Sequence, residues 1–509
     1  MLDTILKKLY SGTDIKGSLA ELKKLLKDDA AAEIKVLRDN EFAELTDRLT
    51  AYLDDPDPKI RKNSAISLGY AAGAAGDKEV SDRIVTRLFE AYCTEQTKYN
   101  MAAYIEAIGR LDFSSVSDKL LKCRDTLIQS EYGAEDKKHI LEEMRELNIL
   151  LRDRIEKKHE YTGYELLNEA VLLTNRNFKN ITTEELGRIP HREFNAGVMV
   201  KTKNIRKVLE SRTFGEILFV PELSDEKQTE DMSEDLSEYA RTLIERGLVE
   251  YLARRHSNPG APFYFRVECK CRDIKKKSDL EKKLAGELEF RSGWRLINST
   301  GDYDFEFRFI EGSSGKLQFL IGMRTFPDDR FDYRKDTISA GMKPSLAALL
   351  VRLSKKYIVD NAAVLDPVCG SGIFLIEREF LSPARILYGI DIYGEAVKAA
   401  QNNTKAAGMS RKTELINKDF IQFRHQYRFD EIYADMPRIT AGRDSSEVER
   451  FYMEFMSKAR DLLETSGHLF IFTHNRNILK RYATKFGYSV LEEFEISKVE
   501  EAYYYVLKY

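Results

Sequence analysis

The stretch from Ala362 to Asp391, A-A-V-L-D-P-V-C-G-S-G-I-F-L-I-E-R-E-F-L-S-P-A-R-I-L-Y-G-I-D, constrains this chain more than any other. It opens with an apolar run, Ala362 to Leu365, short enough for a buried strand. Asp366 and Pro367 end that run. Cys369-Gly370-Ser371-Gly372 then makes a tight turn, in which Gly370 and Gly372 allow positive φ and a close approach of backbone to a ligand. Ile373 to about Phe380 predicts a helix anchored by Ile373, Phe374 and Ile376. Arg385 to Ile390 predicts a second strand, which ends in Asp391. Strand, glycine turn, helix, strand and terminal acid form a nucleotide-binding βαβ pattern.

The acids specify the nucleotide further. A carboxylate at the end of the second strand can accept both hydroxyls of a ribose, which assigns that role to Asp391. Dinucleotide sites offer backbone amides to a pyrophosphate, whereas here Asp366 stands in the mouth of the loop. A carboxylate in that place repels phosphate and suits a cationic ligand. S-adenosylmethionine carries an ammonium and a sulfonium and no phosphate, and is the expected cofactor.

The string D-P-V-C-G-S-G-I-F-L-I-E resembles the cofactor loop of the THUMP-associated RNA methyltransferases, D-P-x-C-G-S-G-T-F-L-I-E. That family joins a Rossmann-like class I methyltransferase domain to an RNA-binding THUMP module, and includes guanosine-N2 methyltransferases of tRNA and of large-subunit ribosomal RNA. The resemblance implies that Asp366, Cys369, Gly370, Gly372, Phe374, Asp391 and Ile392 hold the cofactor. It adds Asp419 and Phe420, at the place where an acid accepts the adenine amino group and the next apolar residue packs the ring. The competing reading of Asp419 is a surface turn residue.

Phe429 to Asp435 predicts the fourth strand of the same domain, and Asp435-Met436-Pro437-Arg438 its exit loop. Amino-group methyltransferases carry (N/D/S)-P-P-(Y/F) there, and the tRNA guanosine-N2 branch D-L-P-(F/Y)-G. An exocyclic amine must lose a proton as it attacks the methyl group. The acid and the next backbone carbonyl accept hydrogen bonds from that amine, and the aromatic residue stacks on the flipped base. Asp435 and Pro437 match the pattern. Arg438 replaces the aromatic and Ile439 the glycine. A guanidinium also stacks on a base, so Asp435, Pro437 and Arg438 are the catalytic candidates. The alternative is a domain that no longer methylates. His474, alone after the fifth strand, reads as a hydrogen-bonding loop residue rather than a catalyst.

Upstream, Phe331 to Asp336 and Met342 to Leu350 resemble the segment by which this family enters the methyltransferase domain, with a helix starting at Pro344. F-R-V-E-C-K-C-R-D-I-K-K-K-S-D-L-E-K-K-L-A, from Phe265, resembles the THUMP strand and following helix. Arg266, Lys270, Arg272, Lys275, Lys276 and Lys277 cluster there as candidate RNA contacts, because lysines and arginines neutralise phosphates without reading sequence. The other reading is a solvated lysine-rich loop. Tyr239 to Leu252 predicts an amphipathic helix, and Asp225 to Asp235 an acidic loop.

The first 155 residues lie outside the resemblance and read as helices throughout. Asp55-Pro56-Asp57-Pro58 breaks the chain and caps a helix. Ile66-Ser67-Leu68-Gly69 is echoed by Glu106-Ala107-Ile108-Gly109 at an offset of about 40 residues, in the range of HEAT-type helical pairs. Such a solenoid presents a surface to a protein partner. An unrelated helical bundle is the alternative.

The expected organisation is therefore multidomain. An all-α HEAT-like solenoid occupies residues 1–155, an α+β ferredoxin-like and THUMP region 160–330, and an α/β Rossmann-like class I methyltransferase 331–509. The expected activity is methylation of the N2 of a guanosine in tRNA. The alternatives are a guanosine-N2 methyltransferase of 23S rRNA and an RNA-binding adaptor with a degenerate catalytic domain. A formal net charge of -3 confines any RNA-binding surface to local basic patches. Five cysteines without a disulfide framework imply reduced thiols in a cytoplasm, and no metal site is expected, Cys269-Lys270-Cys271 lacking further ligands. No run approaches the roughly 18 apolar residues of a membrane span, so no membrane association is expected.

Overall fold

The computed structural model describes residues 2–130, 133, 135–151, 154, 159–221, 232–270, 277–311, 317–339, 341–439 and 445–509. The chain forms two compact units, one from residues 1–159 with 223–318, the other from 160–222 with 319–509.

The first unit begins with eight helices: α1 (Leu2–Tyr10), α2 (Ile15–Lys35), α3 (Asp39–Ala51), α4 (Pro58–Ala75), α5 (Lys78–Thr94), α6 (Lys98–Ile108), α7 (Ser117–Gln129) and α8 (Lys137–Leu150). The capping expected at Asp57-Pro58 is present: the Asp57 carboxylate accepts the N–H of Lys59, and Pro58 opens α4. α2 packs on α4, α4 on α6 and α6 on α8, while the odd-numbered helices pair with their successors. Gly69 and its echo lie on this stacking axis. A Cβ at Gly69 would stand 2.8 Å from the backbone of Ala107, so only glycine lets α4 approach α6 this closely. Cross-layer polar contacts repeat the period, with Lys16 bound to Asp57 at 2.7 Å, Arg61 to Glu95 at 2.6 Å, and Arg110 over the ring of Tyr70 at 3.6 Å.

The second unit opens with β1 (Asn168–Thr174), α9 (Lys179–Leu186), β2 (His191–Phe194), β3 (Gly197–Thr202) and β4 (Phe214–Phe219), an antiparallel group in the order β2-β3-β1-β4. The chain then returns to the first unit with α10 (Met232–Glu245), α11 (Leu248–Ala253), β5 (Phe263–Lys270), α12 (Lys277–Arg291), β6 (Leu296–Asn298) and β7 (Phe305–Glu311). β5 lies between β6 and β7 and is parallel to both. Tyr264, Trp294 and Ile297 from this segment are buried in the same core as the helical array. The amphipathic stretch 239–252 is two helices rather than one, because Gly247 takes φ +90° between them. Residues 222–231, most of the acidic loop, are outside the described set, and the segment from Met232 is helical.

β8 (Leu317–Met323) pairs Ile321 with Phe219 of β4. The remainder is α13 (Pro344–Leu353), β9 (Ala363–Asp366), α14 (Ile373–Leu381), β10 (Ile386–Asp391), α15 (Gly394–Ala406), β11 (Thr413–Asn417), β12 (Phe429–Asp435), α16 (Ser445–Leu462), β13 (Leu463–Thr473), α17 (Arg476–Lys485), β14 (Ser489–Ser497) and β15 (Ala502–Lys508). These strands form a seven-stranded sheet in the order β11-β10-β9-β12-β13-β15-β14. The first five are parallel, and β15 runs antiparallel between β13 and β14. One face buries side chains of α13, α14 and α15, the other those of α16 and α17. Helix α16 starts at Ser445, and Gly467 lies within β13. A Cβ at Gly467 would stand 2.8 Å from the carbonyl of Asp430, so glycine here serves a close strand approach.

Polar contacts hold residues 160–222 against the large sheet's helices. Arg212 binds Glu377 at 2.8 Å, the Tyr333 hydroxyl donates to Glu377 at 2.7 Å, and Arg352 pairs with Glu185. Arg378 and Glu431, both fully buried, form an ion pair at 2.6 Å, and Glu431 also accepts the N–H of Val359 at 2.7 Å.

Candidate active site

The strand order places the acids. β9 is flanked by β10 on one side and β12 on the other, so the chain reverses its direction of winding at β9. The crevice beyond the carboxyl ends of strands at such a point is where open α/β sheets bind ligands. Asp391, Asp366 and Asp435 are the last residues of β10, β9 and β12, three adjacent strands. Burial pushes Asp366 well above the usual carboxylate range, and the neighbouring Asp435 and Asp391 push it further. Burial alone raises Asp435 to about 7.

Gly370 and Gly372 take φ +52° and +79°, which the turn requires. The N–H of Gly370 donates to Asp391 Oδ2 at 2.9 Å, and the N–H of Tyr393 to Oδ1 at 2.9 Å. Asp391 is thereby aimed along the glycine loop. Ile338 covers the loop, its Cδ1 3.0 Å from where a Cβ of Gly370 would be. Asn403 of α15, fully buried, fastens both pieces: its Nδ2 donates to the carbonyls of Ser371 at 3.0 Å and Asp336 at 2.9 Å, and its Oδ1 accepts the Asp336 N–H.

The other predicted cofactor residues divide by exposure. Ile392 is 61% exposed beside Asp391. Asp419 sits beyond β11, where its carboxylate caps a short turn by accepting the N–H of Ile421 at 2.9 Å. Cys369, Phe374 and Phe420 are buried. The Phe374 ring packs against Tyr433 and Tyr504, and that of Phe420 against Phe455. Both rings belong to the buried clusters of the large sheet.

The exit loop is held by a network that spacing did not reveal. The Pro437 carbonyl accepts from Asn475 Nδ2 at 2.9 Å and from the Tyr452 hydroxyl at 3.3 Å. Tyr452 and the Asn475 N–H both bond Thr473 Oγ1, at 2.7 and 2.8 Å. Met436 continues the strand, its N–H on the Phe472 carbonyl at 2.9 Å. Among the described residues nothing bonds the Asp435 carboxylate, and Arg438 is exposed without an ion pair. Residues 440–444, next in the loop, are outside the described set.

Residues 332–501 match the UPF0020 family, described as RMKL-like, methyltransferase domain. This segment is an RMKL-like methyltransferase domain. The chain is similar to the tRNA (guanine(6)-N2)-methyltransferase of Methanocaldococcus jannaschii, 25% identical over 220 residues, 35% of this chain and 57% of the relative. It is also similar to the human U6 snRNA (guanine-N(2))-methyltransferase THUMPD2, 25% identical over 194 residues, 36% of this chain and 37% of that one. The chain thus spans from about a third to just over half of these relatives. In fold, it resembles TrmN from Thermus thermophilus with TM-score 0.51 at 17% identity, covering 67% of this chain and 99% of that one. The structure of SMU.472 complexed with SAH gives TM-score 0.51 at 17% identity, covering 70% and 99%.

The basic cluster outside the methyltransferase domain is partly visible. Arg266 pairs with Glu306 and lies over the ring of Tyr303. Lys270 and Lys277 stand 3.6 Å from Glu268 and Glu281. Arg272, Lys275 and Lys276 are outside the described residues. No helix among the described residues is long and apolar enough to cross a membrane.

Proposed function

We propose that this chain is an S-adenosylmethionine-dependent RNA methyltransferase acting on the exocyclic N2 of a guanosine, with tRNA as the expected substrate. The observation that carries the reading is the row of three carboxylates at the ends of β10, β9 and β12. Three acids facing one crevice suit a ligand with an ammonium and a sulfonium and reject phosphate. Asp391 is aligned to accept the ribose hydroxyls, Asp366 faces the cationic end, and Asp419 stands where the adenine amino group would lie. The cofactor supplies an electrophilic methyl group.

The chain's own residues do the rest. Asp435, ionised above about pH 7, accepts a hydrogen bond from the N2 amine and takes up the proton released as the N–C bond forms. Asn475 and Tyr452, by holding the Pro437 carbonyl, keep the exit loop at one distance from the crevice. Arg438 lies under the base as a flat cation in place of an aromatic ring. The names of the archaeal and human relatives, both guanine-N2 methyltransferases of RNA, support the nucleotide and the atom. The stacked helix pairs of the N-terminal segment fit a HEAT-like solenoid carrying a protein-binding surface, and residues 160–330 fit the ferredoxin-like and THUMP pieces of an RNA-binding region. We place the protein in the cytoplasm. The test is methyl transfer from tritiated cofactor to bulk tRNA and rRNA, followed by nucleoside mass analysis. N2-methylguanosine is the expected product; label in no nucleoside would leave the adaptor reading.

A further inference from the structure

The even-numbered helices of the N-terminal array run parallel. Lys16 meets Asp57 and Lys23 meets Asn63; Lys62 meets Tyr99 and Tyr70 meets Arg110; Tyr99 meets His139 and Gly109 lies against Leu150. Partners thus ascend together along α2, α4, α6 and α8, and equivalent positions form lines across the array. One such line is cationic and aromatic. Lys23 Nζ donates to Asn63 Oδ1 at 2.9 Å. Lys62 Nζ donates to the Tyr99 carbonyl at 3.1 Å and lies 5.6 Å from the centre of the Tyr99 ring. The imidazole of His139 is the next ring, at 6.2 Å. Beside this line the exposed Lys59 and Lys98 stand at the beginnings of α4 and α6. An ammonium has three donors, and Lys23 and Lys62 each use one on a neutral oxygen. Among the described residues none of Lys23, Lys59, Lys62 and Lys98 forms an ion pair. Asp57, Glu106 and Glu142 nearby already face Lys16, Arg110 and His139. Nor do Lys59 and Lys98 serve their own helices, because a cation in the first turn opposes the helix dipole. The odd-numbered helices carry an acid in that turn; α2, α4, α6 and α8 carry none.

Resting on the RNA-substrate reading above, we propose that this face of α2, α4, α6 and α8 binds the sugar–phosphate backbone of the substrate RNA, at nucleotides other than the one methylated. The unused ammonium donors of Lys23, Lys59, Lys62 and Lys98 take phosphate oxygens, and no base is read. The rings of Tyr99 and His139 offer flat surfaces to an unpaired base or a sugar. A chain of formal net charge -3 holds a polyanion only where it gathers cations locally, as it does here. An acidic protein surface is the competing occupant. Aromatic rings in line with the lysines favour nucleotides over it.

The experiment is fluorescence anisotropy of a labelled tRNA transcript with the full-length protein, over a range of salt. Lys23→Ala, Lys62→Ala and Lys98→Ala are combined in one variant. Lys78→Ala, Lys119→Ala and Lys122→Ala are combined in a second, which removes the same charge from exposed positions of α5 and α7. The first variant is expected to bind about tenfold or more weakly, and its slope of log affinity against log salt to be shallower by about 2–3. The second should stay within about twofold of wild type, because charge removed elsewhere breaks no phosphate contact. Arg at positions 23, 62 and 98 keeps the charge and should keep the slope. Thermal melting followed by circular dichroism reports whether each variant is folded. Wild-type affinity and slope in the first variant would overturn the proposal and leave the face to an acidic protein. An equal loss in the second variant would overturn it too. If the first variant loses binding while the wild-type protein methylates no guanosine, the RNA face stands and the methyltransferase reading falls. If wild type makes N2-methylguanosine and the first variant binds like it, the reverse holds.

Discussion

The backbone N–H of Gly370 donates to Oδ2 of Asp391 at 2.9 Å, joining the turn after one strand to the end of the next. The bond makes the two halves of the cofactor motif one structural object, so a change at either is felt at both.

Asp391→Ala removes the ribose acceptor and the anchor of the glycine loop. Binding of S-adenosylmethionine should weaken by about 1.5–3 kcal/mol, the range for a hydrogen bond to a charged group. Asp391→Asn keeps an oxygen for Gly370 and should lose less. Calorimetric titration of both variants checks the order; equal and unchanged affinities would remove Asp391 from the site.

Asp435 provides a pH signature. Its folded-state value, about 7, lies above that of an unfolded aspartate. The folded protein therefore holds a proton that the unfolded chain releases, and stability falls as pH rises from about 4 to about 7. Asp435→Asn should melt with wild type near pH 4 and above it at pH 8. In kinetics, kcat/KM should rise with pH to a plateau above about 7, because the ionised form accepts the amine proton. Asp435→Asn should cut turnover about 100-fold or more and flatten that limb.

The Asn475 side-chain amide holds the Pro437 carbonyl at 2.9 Å. Asn475→Ala should lower kcat by about tenfold, the worth of one hydrogen bond of about 1.4 kcal/mol, and leave cofactor affinity unchanged. Tyr452→Phe should act in the same direction. Stopped-flow single-turnover measurements separate this loss from slower product release; an unchanged chemical step would show that the exit loop holds itself.

The Arg378–Glu431 pair is fully buried. Glu431→Gln should cost about 3–5 kcal/mol in denaturant unfolding, since it strands a buried guanidinium. Arg378→Met with Glu431→Gln together should recover part of that loss. A double variant less stable than the sum of the singles would contradict the pairing.

Gly69→Ala places a methyl 2.8 Å from the backbone of Ala107. Overpacking between α4 and α6 should destabilise the protein by about 1–3 kcal/mol, read from the midpoint of thermal unfolding. Gly76→Ala, where the added methyl meets open space, has a different penalty, the strain of φ +68° alone.

Local chemistry was legible before the fold was known. The turn at Gly370 and Gly372, the strand ends at Asp366, Asp391 and Asp435, and the cap at Asp57 are each written within a few consecutive residues, because backbone dihedrals, strand length and capping are set by near neighbours. The helical character of the first segment and its period of about 40 residues came from spacing alone. What needed the tertiary structure was adjacency across long separations. The order β10-β9-β12 brings three acids from positions 366, 391 and 435 to the ends of adjacent strands, where burial first, and then the two neighbouring acids, raise Asp366. Asn403, Asn475 and Tyr452 carry no motif, since a polar side chain on a helix or loop acquires its role only from the carbonyl that folding brings within 3 Å or so. Phe374 and Phe420 make the same point in reverse. An aromatic ring beside a binding motif fits the core and the ligand equally well as a sequence, and its packing against Tyr433, Tyr504 and Phe455 appears only in the fold.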